Sequence, residues 1–180
     1  MRLPIGGRRA HDLPADVAAA LQTADGGKVL AAAPEADSRA WLVASTYELA
    51  LVDPGRPPGE TLVWSRPWHE VDSGSWSREA SRLTVTWADK TRPGQWRLGE
   101  GMRERVFLQT LRERVQASVV LGEELALSGR RTGRAVIRQN LRTGDLLEQV
   151  VLGRGVQQDE EVAAATARTL AWLREQVGLP

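Results

Sequence analysis

Two kinds of hydrophobic spacing divide the chain. Between residues 28 and 98, short apolar runs are broken by turn sequences, most plainly by the Pro- and Gly-rich segment 53–59, where a continuing strand ladder is blocked. In the segment 82–87, Leu83, Val85 and Trp87 alternate with polar residues and share one face. This spacing predicts about seven short antiparallel strands, as in a barrel or sandwich.

Helical periodicity appears in three other segments. A short helix is predicted from Pro14, which suits a first helical position. A second helix is predicted over residues 102–120, with Gly122 as its stop, and a third over residues 159–177, with Gly178 at its C-cap. The apolar stripes of the last two are Val106, Phe107, Leu111, Val115 and Val119, and Val162, Thr166, Leu170, Leu173 and Val177.

A β-hairpin is predicted between these two helices. Its strands are Gly133–Leu141 and Asp145–Leu152, joined by a two-residue turn at Thr143-Gly144. One face then carries the apolar residues Ala135, Ile137, Leu141, Leu146, Val150 and Leu152. We expect the last helix to cover that face, which leaves Arg134 and Arg138 on the opposite face, pointing into solvent.

The pattern predicts an α+β protein, namely an antiparallel β-barrel capped by an α-helix and followed by a β-hairpin and a C-terminal helix. Its 180 residues suit one compact body. We expect a flexible arm at residues 1–12, a barrel domain with its capping helix at 13–122, and the hairpin plus helix at 123–180, docked on the same body.

Composition narrows the setting. The chain has no Cys, which excludes disulfides and thiolate chemistry and suits a reducing compartment. No secretory signal or membrane-spanning run is evident, so a cytoplasmic protein is expected. Lys28 and Lys90 are the only lysines among 24 basic residues, an Arg bias typical of GC-rich bacterial genomes.

Several segments resemble a known family. The segments 67–72 (Pro-Trp-His-Glu-Val-Asp) and 83–87 (Leu-Thr-Val-Thr-Trp), with the helical segments 103–105 and 112–120, resemble uncharacterised actinobacterial proteins that carry a pleckstrin-homology-like (PH-like) domain. The resemblance covers residues 14–120. It implies a seven-stranded barrel plugged by one helix, in a scaffold that binds lipids or peptides rather than an enzyme.

The phosphoinositide-binding version of that family is not matched. Its first inter-strand loop is rich in Lys and Arg, whereas the corresponding segment 34–37 here is Pro-Glu-Ala-Asp. Only Lys28, Arg39 and Arg56 could lie nearby. The sequence therefore argues against phosphoinositide headgroup binding.

No catalytic, cofactor-binding or metal-binding residue is predicted. His69 is adjacent to Glu70 in the sequence, so in a strand the two would point to opposite faces, and His11 lies in the expected arm. Ser73 and Ser75 flank a glycine but lack the presenting motif of a nucleophilic serine. We therefore expect a protein that is not an enzyme and has no cofactor.

Tryptophan is concentrated in one stretch of the chain: Trp64, Trp68, Trp76, Trp87 and Trp96. Trp87 and Trp96 alternate with aliphatic partners and are expected to fill the core. Trp68 and Trp76 flank a bend and are expected at the surface, where they are candidates for binding a partner.

Basic residues cluster in the hairpin region at Arg130, Arg131, Arg134, Arg138 and Arg142. They are explained either as a solvated face or as a phosphate-binding patch. Two functional hypotheses remain open. The first is an interaction module that binds another protein, or itself, through a sheet edge or the Trp68/Trp76 region, and the second is a weak nucleic-acid or anionic-surface binder that uses the basic residues.

Overall fold

The structure is a computed structural model that describes residues 13–22 and 27–179. The expected arm at 1–12 lies outside the described residues, as does most of the turn that follows the first helix. The helices are α1 (Ala15–Gln22), α2 (Met102–Ala117) and α3 (Glu160–Val177). The strands are β1 (Val29–Pro34), β2 (Trp41–Ser45), β3 (Glu48–Val52), β4 (Leu62–Pro67), β5 (Val71–Ser77), β6 (Arg82–Trp87), β7 (Gly94–Arg97), β8 (Val119–Glu124), β9 (Gly133–Gln139) and β10 (Leu146–Leu152).

The strands of the described ranges form three antiparallel sheets, which confirms the α+β class. The first sheet has the order β1-β2-β3-β4, the second β5-β6-β7 and the third β10-β9-β8. Among the described residues, one isolated bridge, between Glu35 and Leu98, links the first sheet to the second. The described strands do not close into a hydrogen-bonded barrel, so the closed form expected from the strand spacing is not observed.

The main core lies between the first two sheets and α2. Phe107 and Leu111 of α2 are buried there against Leu42, Leu83 and Val85. Burying such side chains stabilises the fold by about 1.5–3 kcal/mol each. The helix therefore holds the two sheets together although few hydrogen bonds join them.

The first sheet is buried on both faces. Ala31 and Ala33 of β1 face the main core, whereas the intervening Ala32 packs with Val17 and Ala20 of α1 in a second cluster. This two-sided burial explains why β1 and β2 have continuous apolar sequences rather than alternating ones.

The third sheet packs α3 against one of its faces, as the sequence predicts. Ala135 and Ile137 of β9 meet Ala165 and Leu173 of α3 in a third cluster. The helix begins at Asp159, whose side chain accepts a hydrogen bond from Val162 N at 2.9 Å. It ends at Gly178, which has φ of 73°, the left-handed geometry that glycine tolerates best.

The opposite face of the third sheet packs on the 3₁₀ turn Trp68–Glu70 that joins β4 to β5. Arg138 of β9 donates to Trp68 O at 2.9 Å, and Gln149 of β10 donates to His69 O at 2.7 Å. The third sheet is therefore contacted on both faces, by α3 on one and by the Trp68–Glu70 turn on the other.

The second helix ends earlier than its periodicity predicts. Ser118 follows α2 and caps it, with its hydroxyl donating to Val115 O at 2.7 Å. The next residues, Val119 and Val120, begin β8, which pairs with β9. Val119 lies four positions after Val115, so its β-branched side chain suits either the helical stripe or a strand. Here its pairing with β9 places it in a strand. The expected domain boundary at 122–123 falls inside β8.

The hairpin loop is longer than the two residues expected. Leu146 pairs with Gln139, so residues 140–145 form the loop, with Gly144 at φ of 82°. The register differs from the expected one by two residues. Because side chains alternate with period two, such a shift preserves the face assignment, and only Leu141 leaves the predicted face, packing against the main core instead.

Replacing Trp68 by Phe should lower the free energy of unfolding by about 2–3 kcal/mol, because it leaves a cavity and removes a buried hydrogen bond. Trp68 is 0% exposed, and its Nε1 donates to Ser45 O at 3.0 Å. The matched control is Trp172→Phe, at a site 45% exposed, for which a change within about 0.5 kcal/mol is expected. Urea denaturation followed by circular dichroism measures the unfolding free energy of both variants. Equal losses in the two variants would contradict the buried position of Trp68.

Candidate functional site

An unpaired sheet edge lies beside α2. β5 is an edge strand of the second sheet, and in the described part of the chain no backbone group bonds to it from the side away from β6. A row of free N–H and C=O groups on an edge strand is a template for another strand.

The register shows which residues supply those free groups. Leu98 N donates to Ser81 O at 3.0 Å, and these two residues lie one position outside the pair Arg82–Arg97. Since hydrogen-bonded and non-hydrogen-bonded pairs alternate along an antiparallel ladder, Arg82 and Arg97 do not bond to each other. Arg82 therefore turns its own backbone groups toward β5, where its partner is Ser77.

The register of β5 on β6 is regular from Gly74 to Ser77. Ser75 and Ser77 thus bond to β6, whereas Gly74 and Trp76 turn their N–H and C=O groups to the open edge. Any strand added to β5 would bond to these two residues.

An apolar groove separates the open edge from α2. It has a volume of about 440 Å³ and is lined from the β5 side by Gly74 and Trp76. Its helical wall contains Leu108, Leu111 and Val115. Leu108, Val115 and Trp76 are only half-buried, so the groove exposes apolar surface to solvent.

Gly74 determines how closely the helix approaches the strand. A Cβ at this position would lie 2.5 Å from Leu111 Cδ2, well inside van der Waals contact. The glycine therefore lets Leu111 lie directly over β5 and form the floor of the groove.

The groove continues past Asp72 into a second cavity of about 370 Å³. Asp72, Val115 and Gln116 line both spaces. The second cavity lies beneath β8 and contains Val119, which is 40% exposed, and Arg138. The open edge, the groove and this cavity form one continuous surface, which we call the β5–α2 groove.

The predicted basic patch is divided by the fold. Arg131 forms ion pairs with Asp159 and Glu161 at the start of α3, and Arg134 forms one with Asp72. Arg142 bonds to Glu48. Arg130 is exposed and has no ion pair among the described residues.

The expectation that Arg138 points into solvent is wrong. Arg138 is 3% exposed, and its Nη2 donates to the carbonyls of Trp68 and Val71. The face assignment was correct, but at Arg138 that face packs against the Trp68–Glu70 turn and the start of β5 instead of facing solvent. Burial lowers the pKa of Arg138 from its ordinary value, an effect that the charge of Asp72 partly offsets.

The expectation that Trp68 lies at the surface is also wrong, since its side chain is completely buried. Trp76 is half-buried and lines the groove, so the two tryptophans do not form a common surface. Trp64 packs edge-on against Trp87, with ring centroids 5.4 Å apart, and Trp96 packs beside them. Trp87 is buried in the main core, as the sequence predicts, whereas Trp64 and Trp96 are partly buried and pack against that core.

The candidate catalytic side chains are not brought together. Ser73 Oγ lies 2.7 Å from Thr86 Oγ1, in a cross-strand pair typical of an edge sheet. His69 lies in the 3₁₀ turn, and burial lowers its pKa below the usual range. Within residues 13–22 and 27–179, no group of three or more His, Asp or Glu is placed to hold a metal ion.

No family model, curated protein or solved structure matches this chain. None of the helices in the described ranges is long and apolar enough to span a bilayer.

The groove itself was not predicted from the sequence, although α2 carries a signal for it. Leu108, Leu111 and Val115 follow helical spacing, and Leu108 widens the apolar stripe beyond what one core contact needs. The small residues at 73–75 (Ser-Gly-Ser) are the corresponding signal on the strand.

Replacing Arg138 by Gln should lower the free energy of unfolding by about 3 kcal/mol, because two buried carbonyls lose their charged donor. Arg134→Gln is the matched control, since that side chain is 46% exposed, and a change within about 1 kcal/mol is expected. Urea denaturation at pH 7 compares them. A small effect at Arg138 would contradict its buried position.

The lowered pKa of His69 predicts a pH dependence of stability. The unfolded chain takes up a proton near pH 6.5 while the folded imidazole resists it, so stability falls as the pH drops below that value. His69→Gln should reduce the loss of stability between about pH 7.5 and 5.5. The carboxylates with shifted pKa values, at Asp89, Glu148, Asp159 and Glu161, are lowered and titrate below this window. Denaturation across the range, with His11→Gln as the comparison, measures the effect, and an unchanged profile would contradict it.

Proposed function

We propose that this protein is a non-catalytic interaction module that binds an extended segment of another protein in the β5–α2 groove. The observation that supports it is the open edge of β5 beside a half-exposed apolar wall. The bound segment would add as a strand to β5, and its alternate side chains would enter the groove.

Strand addition fits both halves of the site. The free backbone groups of Gly74 and Trp76 supply main-chain hydrogen bonds, which give affinity without sequence preference. Successive side chains of a strand point to opposite faces. Every second residue of the ligand would therefore meet Leu108, Leu111 and Val115, and apolar residues at those positions would be preferred.

We also propose that the segment 28–117 is a PH-like domain. Two antiparallel sheets of four and three strands, followed by a helix that packs on both, support this proposal. The lack of Cys supports the further proposal that the module acts in the cytoplasm.

The second hypothesis, a phosphate-binding surface on the basic residues 130–142, has less support. Arg131, Arg134 and Arg142 bind carboxylates of the same chain, and Arg138 is buried. A phosphate would have to compete with these internal partners. Binding that falls steeply with added salt would favour this second hypothesis over the groove.

A random library of twelve-residue peptides, screened against the full chain, should yield ligands with apolar residues at alternate positions. Hydrogen exchange followed by NMR should then show new protection at the amides of Gly74 and Trp76. The amides of Ser75 and Ser77, already bonded to β6, should change much less and serve as an internal reference.

Gln116→Trp should weaken the selected peptides about tenfold or more, because it fills the exposed rim of the groove. Glu113→Trp is the matched control, on an exposed part of α2 outside the groove, and should leave affinity unchanged. If no peptide is selected, or if the new protection lies on β9 and β10, strand addition to β5 is wrong.

A further inference from the structure

The second cavity of the groove contains a buried cation without a bonded anion. The guanidinium of Arg138 bonds to the carbonyls of Trp68 and Val71 through Nη2, and its Nε has no hydrogen-bond partner among the described residues. None of the described carboxylates forms an ion pair with it. A buried charge held only by neutral partners is expensive and favours the arrival of an opposite charge.

The charged groups around this cavity do not neutralise Arg138 directly. Asp72 is paired with Arg134. Glu124 pairs in register with Arg134, and Glu123 and Glu124 both line the cavity as exposed residues. Arg138 also lines the cavity, where it is buried and forms no ion pair with a described carboxylate.

The direction of strand addition places one end of a ligand in this cavity. β5 runs from Asp72, beside the second cavity, to Ser77 at the far end of the groove. A strand antiparallel to β5 would enter near Ser77 and leave near Asp72. Its C-terminal end would then arrive beneath β8, beside Arg138.

We infer that the groove binds the free C-terminal end of a protein, antiparallel to β5, with the terminal carboxylate bonded to Arg138. This inference rests on the proposed function and adds to it the class of ligand and its orientation. A carboxylate at this position would accept the unused guanidinium N–H bonds, and charge-assisted hydrogen bonds of this kind are about twice as strong as neutral ones.

The test measures how tightly the unmodified protein binds three forms of each selected peptide. These are a peptide with a free C-terminal acid, the same peptide with a C-terminal amide, and an amide with Asp as its last residue. Fluorescence polarisation should show that the free acid binds about tenfold or more tightly than the amide. The Asp-amide form should stay near the plain amide, since its carboxylate is displaced from the chain end. Equal affinity of acid and amide, or full recovery with Asp-amide, would overturn the inference.

Arg138→Gln provides the protein-side test. It should abolish the preference for the free acid, so that the acid and amide forms bind the variant with equal affinity, and binding of either form shows that the variant is folded. If this variant does not fold, Glu124→Gln replaces it. Removing a negative charge from the cavity rim should strengthen acid binding about two- to threefold, whereas Glu175→Gln, on an exposed part of α3 outside the cavity, should not.

The outcomes separate the two proposals. Peptides that bind without preferring a free acid leave strand addition intact and overturn only the C-terminal assignment. Failure of every form to bind would remove the proposed function itself.

Discussion

The turn at Trp68–Glu70 holds the three sheets and α2 in their relative positions. The Trp68 indole donates to Ser45 O in the first sheet, and the Trp68 carbonyl accepts from Arg138 in the third sheet. Ser118, which caps α2, lies 3.4 Å from the same carbonyl through its hydroxyl. Four parts of the chain, far apart in sequence, thus meet at one buried residue.

The open edge of β5 is a consequence of this arrangement. Because the third sheet packs its face on the turn, β8 does not pair with β5, and each strand remains the edge of its own sheet. Natural edge strands are commonly blocked by Lys, Pro or bulges. Apart from the bulge near Asp72, β5 carries serines and a glycine in these positions, which leave its backbone accessible.

Local patterns were sufficient to predict much of the fold. The alternation in 82–87 correctly indicated β6, the first-turn carboxylates and Gly178 correctly bounded α3, and the faces of the hairpin were assigned correctly despite the wrong register. These features depend on periodicity and capping, which neighbouring residues determine. Three other features depend on contacts between distant segments, and no local pattern indicates them. They are the division of the first seven strands into two sheets, the start of β8 at Val119 and the burial of Trp68.

The error at Arg138 has a more specific cause. Surface exposure was inferred from the residue's face alone, on the assumption that a hairpin has one covered side. In the structure α3 covers one side and the Trp68–Glu70 turn covers the other. An arginine on the second side stays charged because the carbonyls of the first residue of the turn, Trp68, and of the first residue of β5, Val71, accept hydrogen bonds from it.

The same arrangement explains why an arginine-rich composition is weak evidence for phosphate binding here. Arg131, Arg142 and Arg174 each bond to a carboxylate on a different element, so their guanidinium groups join parts of the fold. Such exposed pairs contribute little stability individually, but they occupy the donors that a phosphate would need. Arg138 differs, because its partners are neutral carbonyls and its remaining donor capacity lies at the junction of β5, α2 and β8. Sites for ligands commonly form where separate structural units meet. At this junction the unsatisfied backbone of an edge strand, an apolar helical wall and an unpaired buried cation lie along one groove, and an extended chain ending in a carboxylate complements all three.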